Sequence, residues 1–253
     1  MEIQKLNNWI KHQKKINKMN IYKVDFESTE GWQISPSEIY NNKKKFFSIK
    51  PYKFKNQNNK IWFQPLIIQK EVGILGIIKK KVKNLDYYLL QAKVEPGNID
   101  NIQLSPTVQA TKSNYLRAHG GKKTKYLQYF IRKNNNSRIL TNLRLSEQGT
   151  RYFEKSNKNI LVEIKNQKIK NYRNFIWLSK KDLIYLIKKK NLLNMDSISV
   201  FSSSIKKEKI DNPINKFSEI KRKYKNLYRK LHIIKKNILF KDMKGWEILK
   251  KKI

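Results

Sequence analysis

The sequence predicts an α+β fold, a mixed β-rich sheet built from hairpins and flanked by helices. Three observations carry that expectation. Four apolar runs between residues 46 and 95 have strand length, are rich in Ile, Phe and Tyr, and are separated by Asn/Lys-rich turns. Helical spacing of apolar residues occurs instead at the N-terminus and after residue 179. Strands with helices added late, rather than strict strand–helix alternation, is the α+β order.

In chain order, residues 1–20 read as a basic helix with Leu6, Trp9, Ile10 and Ile16 as a sparse apolar stripe. A Gly31-Trp32 corner follows. The strands are Phe46–Phe54, Ile61–Gln69, Ile74–Val82 and Leu85–Glu95. Gln103–Gln109 alternates again. Ser146–Asn159 begins with a helix-capping Ser and continues as a helix or irregular turn, and Ile160–Ile164 is a further short strand. Ser179-Lys-Lys-Asp182 is a capping-box start with Asp in place of Glu, opening a helix that buries Leu183, Ile184, Leu186 and Ile187. Lys216–Lys236, with Phe217, Ile220, Tyr224, Leu227, Tyr228 and Leu231 at spacings of three and four, is a second basic helix.

A local echo adds to this order. Phe240 to Ile248, with Gly245-Trp246, resembles Phe26 to Ile34, with Gly31-Trp32, and a basic amphipathic segment precedes both. The two tryptophans lie 214 residues apart, a distance that implies a duplicated unit whose second copy has only begun.

The formal net charge of +38 admits nucleic acid as a partner, since clustered cations release counterions from phosphates. Residue choice argues otherwise. Of the 57 basic residues 49 are Lys and only 8 are Arg, whereas Arg is the side chain suited to planar phosphate recognition. Ala occurs three times. Drift toward Lys, Asn, Ile, Tyr and Phe accounts for the charge better than a selected surface does, so no specific nucleic-acid partner is expected. Cysteine is absent, which excludes thiol catalysis and thiolate metal sites. The N-terminus is no signal peptide and no run reaches the ~20 apolar residues of a membrane span, so a soluble, cytoplasmic protein is expected.

One stretch departs from the drift. Residues 89–129 keep Gln, Ala, Pro, Gly, Glu, His and Thr in a dense run with turn signals at Pro96-Gly97-Asn98, Ser105-Pro106 and Gly120-Gly121. In the strand before it, Tyr88, Leu90, Ala92 and Val94 share one face, expected to be core. Leu85, Tyr87, Leu89, Gln91, Lys93 and Glu95 share the other, which turns polar toward its end. An ordinary Lys93–Glu95 surface pair explains that polarity as well as a site does. Thr107, Gln109, Thr111 and Ser113 supply neutral donors and acceptors. Lys112, Asn114, Tyr115, Arg117 and His119 lead into Gly120-Gly121-Lys122-Lys123, where paired glycines beside cations let backbone N–H groups approach an anion. His119 could titrate near neutrality, whereas His12 and His232 lie in Lys-rich helices. Phosphate-loop, dinucleotide-binding and HExxH motifs are missing. The residues therefore suggest a metal-independent polar pocket suited to proton transfer on an anionic ligand.

These same residues carry a family resemblance. QAKVEPGNIDNIQLSPTVQATKSNYLRAHGGK resembles the signature of the NDP-hexose 2,3-dehydratases of deoxysugar biosynthesis. The likeness extends through Trp62–Gln69, Gly73–Gly76, Ser146–Gly149, Phe175–Trp177 and Leu193–Asp196, over roughly residues 24–204. It implies a Nudix-like sheet without the metal-binding Nudix box, in a family of tandem repeats. The chain then divides into a basic N-terminal helix (1–23), one repeat (24–205), and a basic helix with the start of a truncated second repeat (206–253).

The implied reaction removes water from a nucleotide-linked 4-keto-6-deoxyhexose, taking the C3 proton and the C2 hydroxyl with no cofactor. The resemblance implies Glu95 and His119 as base and acid in either order, with Tyr115, Asn114 or Lys93 at the enolate oxygen. Arg117, Lys112 and Gly120-Gly121-Lys122 would face the diphosphate, and Trp62 or Tyr115 would stack on the nucleobase, although a core role suits Trp62 better. Gln91, Asn98, Gln109, Glu147 and Gln148 complete the expected substrate-binding set. Where relatives carry a Lys-Arg-Asn-Arg-Asn-like run this chain has Glu154–Asn159, which removes a bidentate fork. Implied partners are the dTDP- or other NDP-4-keto-6-deoxyhexose, a second copy or complementary second-repeat chain, and a downstream 3-ketoreductase. The alternatives are an inactive sugar-nucleotide-binding subunit and non-specific nucleic-acid binding by the Lys surface.

Overall fold

The structure is a computed structural model that describes residues 3–43, 47–116, 123–131, 136–165, 168–203 and 234–246. In chain order its elements are α1 (Ile3–Ile16), β1 (Trp32–Ile34), β2 (Ile39–Asn41), β3 (Ser48–Lys55), β4 (Ile61–Ile68), β5 (Gly73–Val82) and β6 (Leu85–Val94). Then come β7 (Ile102–Pro106), β8 (Val108–Ala110), α2 (Lys112–Tyr115), α3 (Gln128–Ile131), β9 (Ser137–Ser146) and β10 (Ser156–Ile164). The last are β11 (Phe175–Ser179), α4 (Lys180–Ile187), α5 (Met195–Ser202) and β12 (Ile234–Asn237). The class is α+β. Contacts divide the chain into two compact units, which cut across the expected segments 1–23, 24–205 and 206–253. One is Met1–Val24, Glu71–Ser146 and Ser156–Lys206; the other is Asp25–Lys70, Glu147–Lys155 and Lys207–Ile253.

The first unit holds a seven-stranded sheet in the order β11-β6-β5-β10-β9, with β7 on β6 and β8 on β5. Among the described strand pairs of this sheet, β5–β10 is parallel and the others are antiparallel. Strand alternation sends Leu75, Ile77, Tyr88, Leu90, Leu161 and Leu178 to one face, where Leu6, Ile10, Leu183, Leu186, Val200 and Phe201 from α1, α4 and α5 cover them. The opposite face carries Ile74, Ile78, Leu89, Val108, Val162 and Phe175 under Tyr126, Tyr129 and Phe130. Both faces are therefore core. Leu89, expected on the face that turns polar, is fully buried.

The hairpin strands sit within a residue or two of their expected limits, and β6 runs as expected up to the turn. The expected stripe on α1 holds for Leu6 and Ile10, but Ile16 is exposed. At 100° per residue Ile16 lies roughly 80° away from Leu6 around the helix. Gln13 takes the inward position instead, donating from Nε2 to the Arg173 carbonyl at 3.1 Å. On α4 the capping box forms, with Ser179 Oγ accepting from Asp182 N–H and the Asp182 carboxylate accepting from Ser179 N–H. Leu183 and Leu186 are buried, but Ile184 and Ile187 are exposed. This two-turn helix presents a narrow arc to the sheet, and Asp182 occupies its start.

Of the helix or irregular turn expected at Ser146–Asn159, the irregular turn holds for the middle and the two ends are corrected to strand. Ser146 ends β9, Glu147–Lys155 is irregular, and Ser156–Asn159 opens β10. The physical reason is the ladder from Ser156↔Ser146 to Ile164↔Ser137, which satisfies these backbone groups as strand. Residues 216–233 of the expected second basic helix lie outside the described residues. Ile234–Lys236 are strand, paired with Lys53–Lys55.

The second unit holds β1-β2-β3-β12, with β4 also on β3. Its small core is Tyr52, Phe54 and Leu66 with Trp62 and Phe153 packed against them. The Glu147–Lys155 segment is fixed by backbone bonds from Ile67 N–H to the Arg151 carbonyl (2.8 Å) and from Phe153 N–H to the Ile67 carbonyl (3.0 Å). The echoed segments both lie here and share one local structure. Phe26–Ser28 and Phe240–Asp242 are each a 3-10 turn, and Gly31 and Gly245 adopt left-handed φ of 75° and 80°. Trp32 N–H donates to the Thr29 carbonyl at 3.3 Å, as Trp246 N–H does to Met243 at 3.4 Å. The sequence echo is thus a repeated conformation, which only glycine meets without strain at the left-handed position.

Candidate active site

The polar end of β6 is held by the expected turn. Asn98 N–H donates to the Glu95 carbonyl at 3.0 Å, and its side-chain amide reaches the Lys93 and Asn101 carbonyls at 3.4 and 3.3 Å. Asn98 is thereby occupied with the turn itself. At its start, Lys93 Nζ lies 2.8 Å from Glu95 Oε1. That pair alone would be the bland surface contact. A third group changes it, because Gln109 Nε2 on β8 donates to the same Oε1 at 3.1 Å. Gln109 lies opposite Leu75, so it leaves the sheet on the helix-covered face, while Lys93 leaves it with Leu89 on the other. Glu95, one residue past the strand, takes donors from both. Its Oε2 has no partner among the described residues.

Behind Gln109 stands a residue that residue-by-residue reasoning passed over. Asn194 Nδ2 donates to Gln109 Oε1 at 2.9 Å and to Ser105 Oγ at 3.1 Å. Backbone bonds join Leu104 to the Leu192–Asn194 segment and hold this pair in place. Asn194 belongs to the Leu193–Asp196 motif, and its position as N-cap before an apolar helix was the signal that could have singled it out.

Other expected site residues have other occupations. Thr107 is built into the sheet: its hydroxyl donates to the Leu89 carbonyl and accepts from Ile78 N–H at 3.0 Å. Gln91 Nε2 donates to the Pro106 carbonyl at 3.1 Å. Lys112, Asn114 and Tyr115 sit on α2, whose first turn is held by Glu71, since Ser113 N–H and Oγ donate to Glu71 Oε2 at 3.0 and 2.8 Å. Glu71, isolated in sequence, gave no signal. Trp62 stacks on Phe54 at 5.2 Å in the second unit, which also holds Glu147 and Gln148. Arg117, His119, Gly120, Gly121 and Lys122 lie outside the described residues.

The structure also has a cavity that the sequence did not announce. Its volume is about 490 Å³, and its walls include Lys123, Lys125, Lys170, Tyr126, Tyr129 and Tyr172 but not Lys93, Glu95 or Gln109. Tyr126 and Tyr129 belong to the core that covers Leu89, so the cavity lies over the face from which Gln91 and Lys93 project. Lys125 Nζ sits 4.2 Å from the Tyr172 ring centre and 3.3 Å from Asn174 Oδ1. Three ammonium groups and three phenol rings suit an anionic ligand with a planar ring. The clue available was a Lys-x-Lys-Tyr-x-x-Tyr run with a distant Tyr.

Burial, with lesser contributions from Tyr172 and Tyr129, pushes the Tyr126 phenol up to about 12. An unfolded tyrosine titrates near ~10. The neutral buried phenol therefore contributes stability that is complete below pH ~10 and lost as pH rises through about 12. Tyr126→Phe is expected to flatten this alkaline decline in Tm; an unchanged decline would place its origin elsewhere.

With this geometry in view, similarity to known proteins is informative. A profile described as NDP-hexose 2,3-dehydratase matches residues 3–203. The chain is 34% identical to the dTDP-4-dehydro-6-deoxy-α-D-glucopyranose 2,3-dehydratase of Streptomyces violaceoruber, over 77% of this chain and 44% of the relative. Proteins of the same description from Saccharopolyspora spinosa and Amycolatopsis orientalis are each 33% identical, over 77% and 80% of this chain and 40% and 44% of their own lengths. The chain thus spans less than half the length of these relatives. Two solved structures align more loosely, C. elegans Ap4A hydrolase (14% identity, TM-score 0.33, 53% of this chain and 97% of that one) and an ADP compounds hydrolase (11%, 0.38, 61% and 83%). Those scores are too low to argue from. No helix among the described residues is long and apolar enough to cross a membrane. Matched over residues 3–203 and identical to three such relatives at about a third of the positions aligned across 77–80% of its length, the chain belongs to the NDP-hexose 2,3-dehydratase family.

Proposed function

We propose that this chain eliminates water from a nucleotide-linked 4-keto-6-deoxyhexose, of which the dTDP-linked glucose derivative named for its relatives is the first candidate. The chemistry asks for few groups. The C4 ketone acidifies the C3 proton, and the C2 hydroxyl lies β to that ketone. A base at C3, donors at the developing C4 enolate and an acid for the departing hydroxyl complete the reaction. The observation that carries the proposal is Glu95, whose Oε1 takes donors from Lys93 and Gln109 while Oε2, without a partner among the described residues, is left to receive a proton. Lys93, two residues before it, supplies positive charge beside the enolate. His119 is the acid in this scheme. The cavity ringed by Lys123, Lys125 and Lys170 takes the diphosphate, and one of its tyrosines stacks on the base.

The test is to incubate the purified chain with the dTDP-4-keto-6-deoxyglucose substrate in D2O, with a 3-ketoreductase to trap the product. Loss of the C2 hydroxyl and deuterium at C2, delivered as the enol relaxes to the C3 ketone, are expected. Binding of the sugar nucleotide without either change would overturn the proposal and make the chain a substrate-holding part only.

A further inference from the structure

The orientation of the Gln109 side chain is set from the far end of a hydrogen-bond chain. An amide side chain can be turned end for end without changing shape, so its direction must follow from partners that cannot reverse. One such partner is present. The backbone N–H of Ser197 can only donate, and it donates to Asn194 Oδ1 at 2.9 Å as the cap of α5. Asn194 Nδ2 must therefore point the other way, to Ser105 Oγ and Gln109 Oε1. That fixes the Gln109 carbonyl inward and its Nε2 outward, onto Glu95 Oε1. Asn194 is 8% exposed, Ser197 2% and Ser105 not at all, so water offers little alternative along this path.

We propose that Asn194 is a positioning residue for the elimination, acting through Gln109 to hold the Glu95 carboxylate with Oε2 presented. This rests on Glu95 being the base. Without the Asn194 donor, Gln109 would turn to satisfy its own groups and present a carbonyl to Glu95, two acceptors facing each other. Glu95 would then rotate away from the Lys93 side of the site, and misplacement of a reacting group by about 1 Å costs about 10²-fold in rate.

Two substitutions separate this role from helix capping. Asn194→Asp keeps an equally good cap but has no donor, whereas Asn194→Ala removes both. Both are expected to lower kcat for dehydration by about 10²-fold with KM within about twofold. Only Asn194→Ala should lower Tm, by about 2–4 °C. A mere cap predicts near-wild-type kcat for Asn194→Asp, and that result would overturn the proposal. A second readout needs no turnover. With ¹⁵N-labelled glutamine, assigned by its disappearance in Gln109→Leu, the Gln109 side-chain amide signals should shift and exchange faster in Asn194→Asp. Unchanged signals overturn the orienting chain itself. Shifted signals in a chain that shows no dehydration support the orienting chain and overturn only the proposed reaction.

Discussion

Glu95→Gln is expected to reduce the rate of dehydration by about 10²–10⁴-fold, the usual contribution of a positioned general base. The substitution preserves size and leaves an oxygen able to accept from Lys93 and Gln109, so the turn at Pro96-Gly97 and the end of β6 should be undisturbed. What disappears is the basic oxygen. Lys93 also loses its counter-charge, which leaves more positive potential at the sugar, so sugar-nucleotide affinity should hold or rise. The comparison is product formation trapped by the 3-ketoreductase against affinity measured by titration. A dehydration rate within a few-fold of wild type would remove Glu95 as the base and shift the assignment to His119 or to Glu71, the carboxylate that accepts from Ser113 on α2.

Leu89→Ala should be the most destabilising of the small changes, at about 2–5 kcal/mol. Leu89 is fully buried, packed with Ile78 and Val108, which are also fully buried. Its carbonyl accepts from the Thr107 hydroxyl, so the strand cannot easily shift to close the space. Leu85 provides the control. By alternation it belongs to the same face, but at the far end of the strand, where it is 58% exposed. Leu85→Ala should stay within about 0.5 kcal/mol. Urea midpoints at unchanged slope measure both. Equal, small effects would mean that this face of the sheet is not a core.

The contrast between those two leucines shows what the sequence made legible and what it did not. β6 was readable because alternation sorts its side chains, and Tyr88, Leu90 and Ala92 are core as expected. Its other face looked half polar because Gln91, Lys93 and Glu95 dominate its end. Leu89 becomes core only when the Tyr126–Phe130 segment, distant in sequence, covers this face beside Val108 of β8. β9 was missed for the opposite reason. It lies at the edge of the sheet and is exposed along most of its length, so the alternation of Ile139, Leu143 and Leu145 marks a strand whose apolar side chains are left outside the core. Without it the segment beginning at Ser146 looked like a helix start, since a Ser before a polar run satisfies the capping pattern locally.

The site divides in the same way. Lys93, Glu95 and the Pro96-Gly97-Asn98 turn are neighbours in the chain, and their association could be read from spacing. Gln109 was visible as a polar residue in an alternating run, yet nothing local said that it would reach Glu95 rather than substrate. Asn194 lies 85 residues from Gln109, and no periodicity links them.

By itself, the sequence determined the α+β class, the hairpin strands, the α4 capping box, the Gly-Trp echo and the family. Each of these depends on residues close together in the chain or on an ordered string of them. Only the tertiary structure decided that the sheet is buried on both faces, that one pairing within it is parallel, and that an asparagine at a helix start faces a glutamine on β8. Those outcomes depend on which surfaces meet. Burial and hydrogen-bond direction are properties of the meeting partners, and no single segment holds that information.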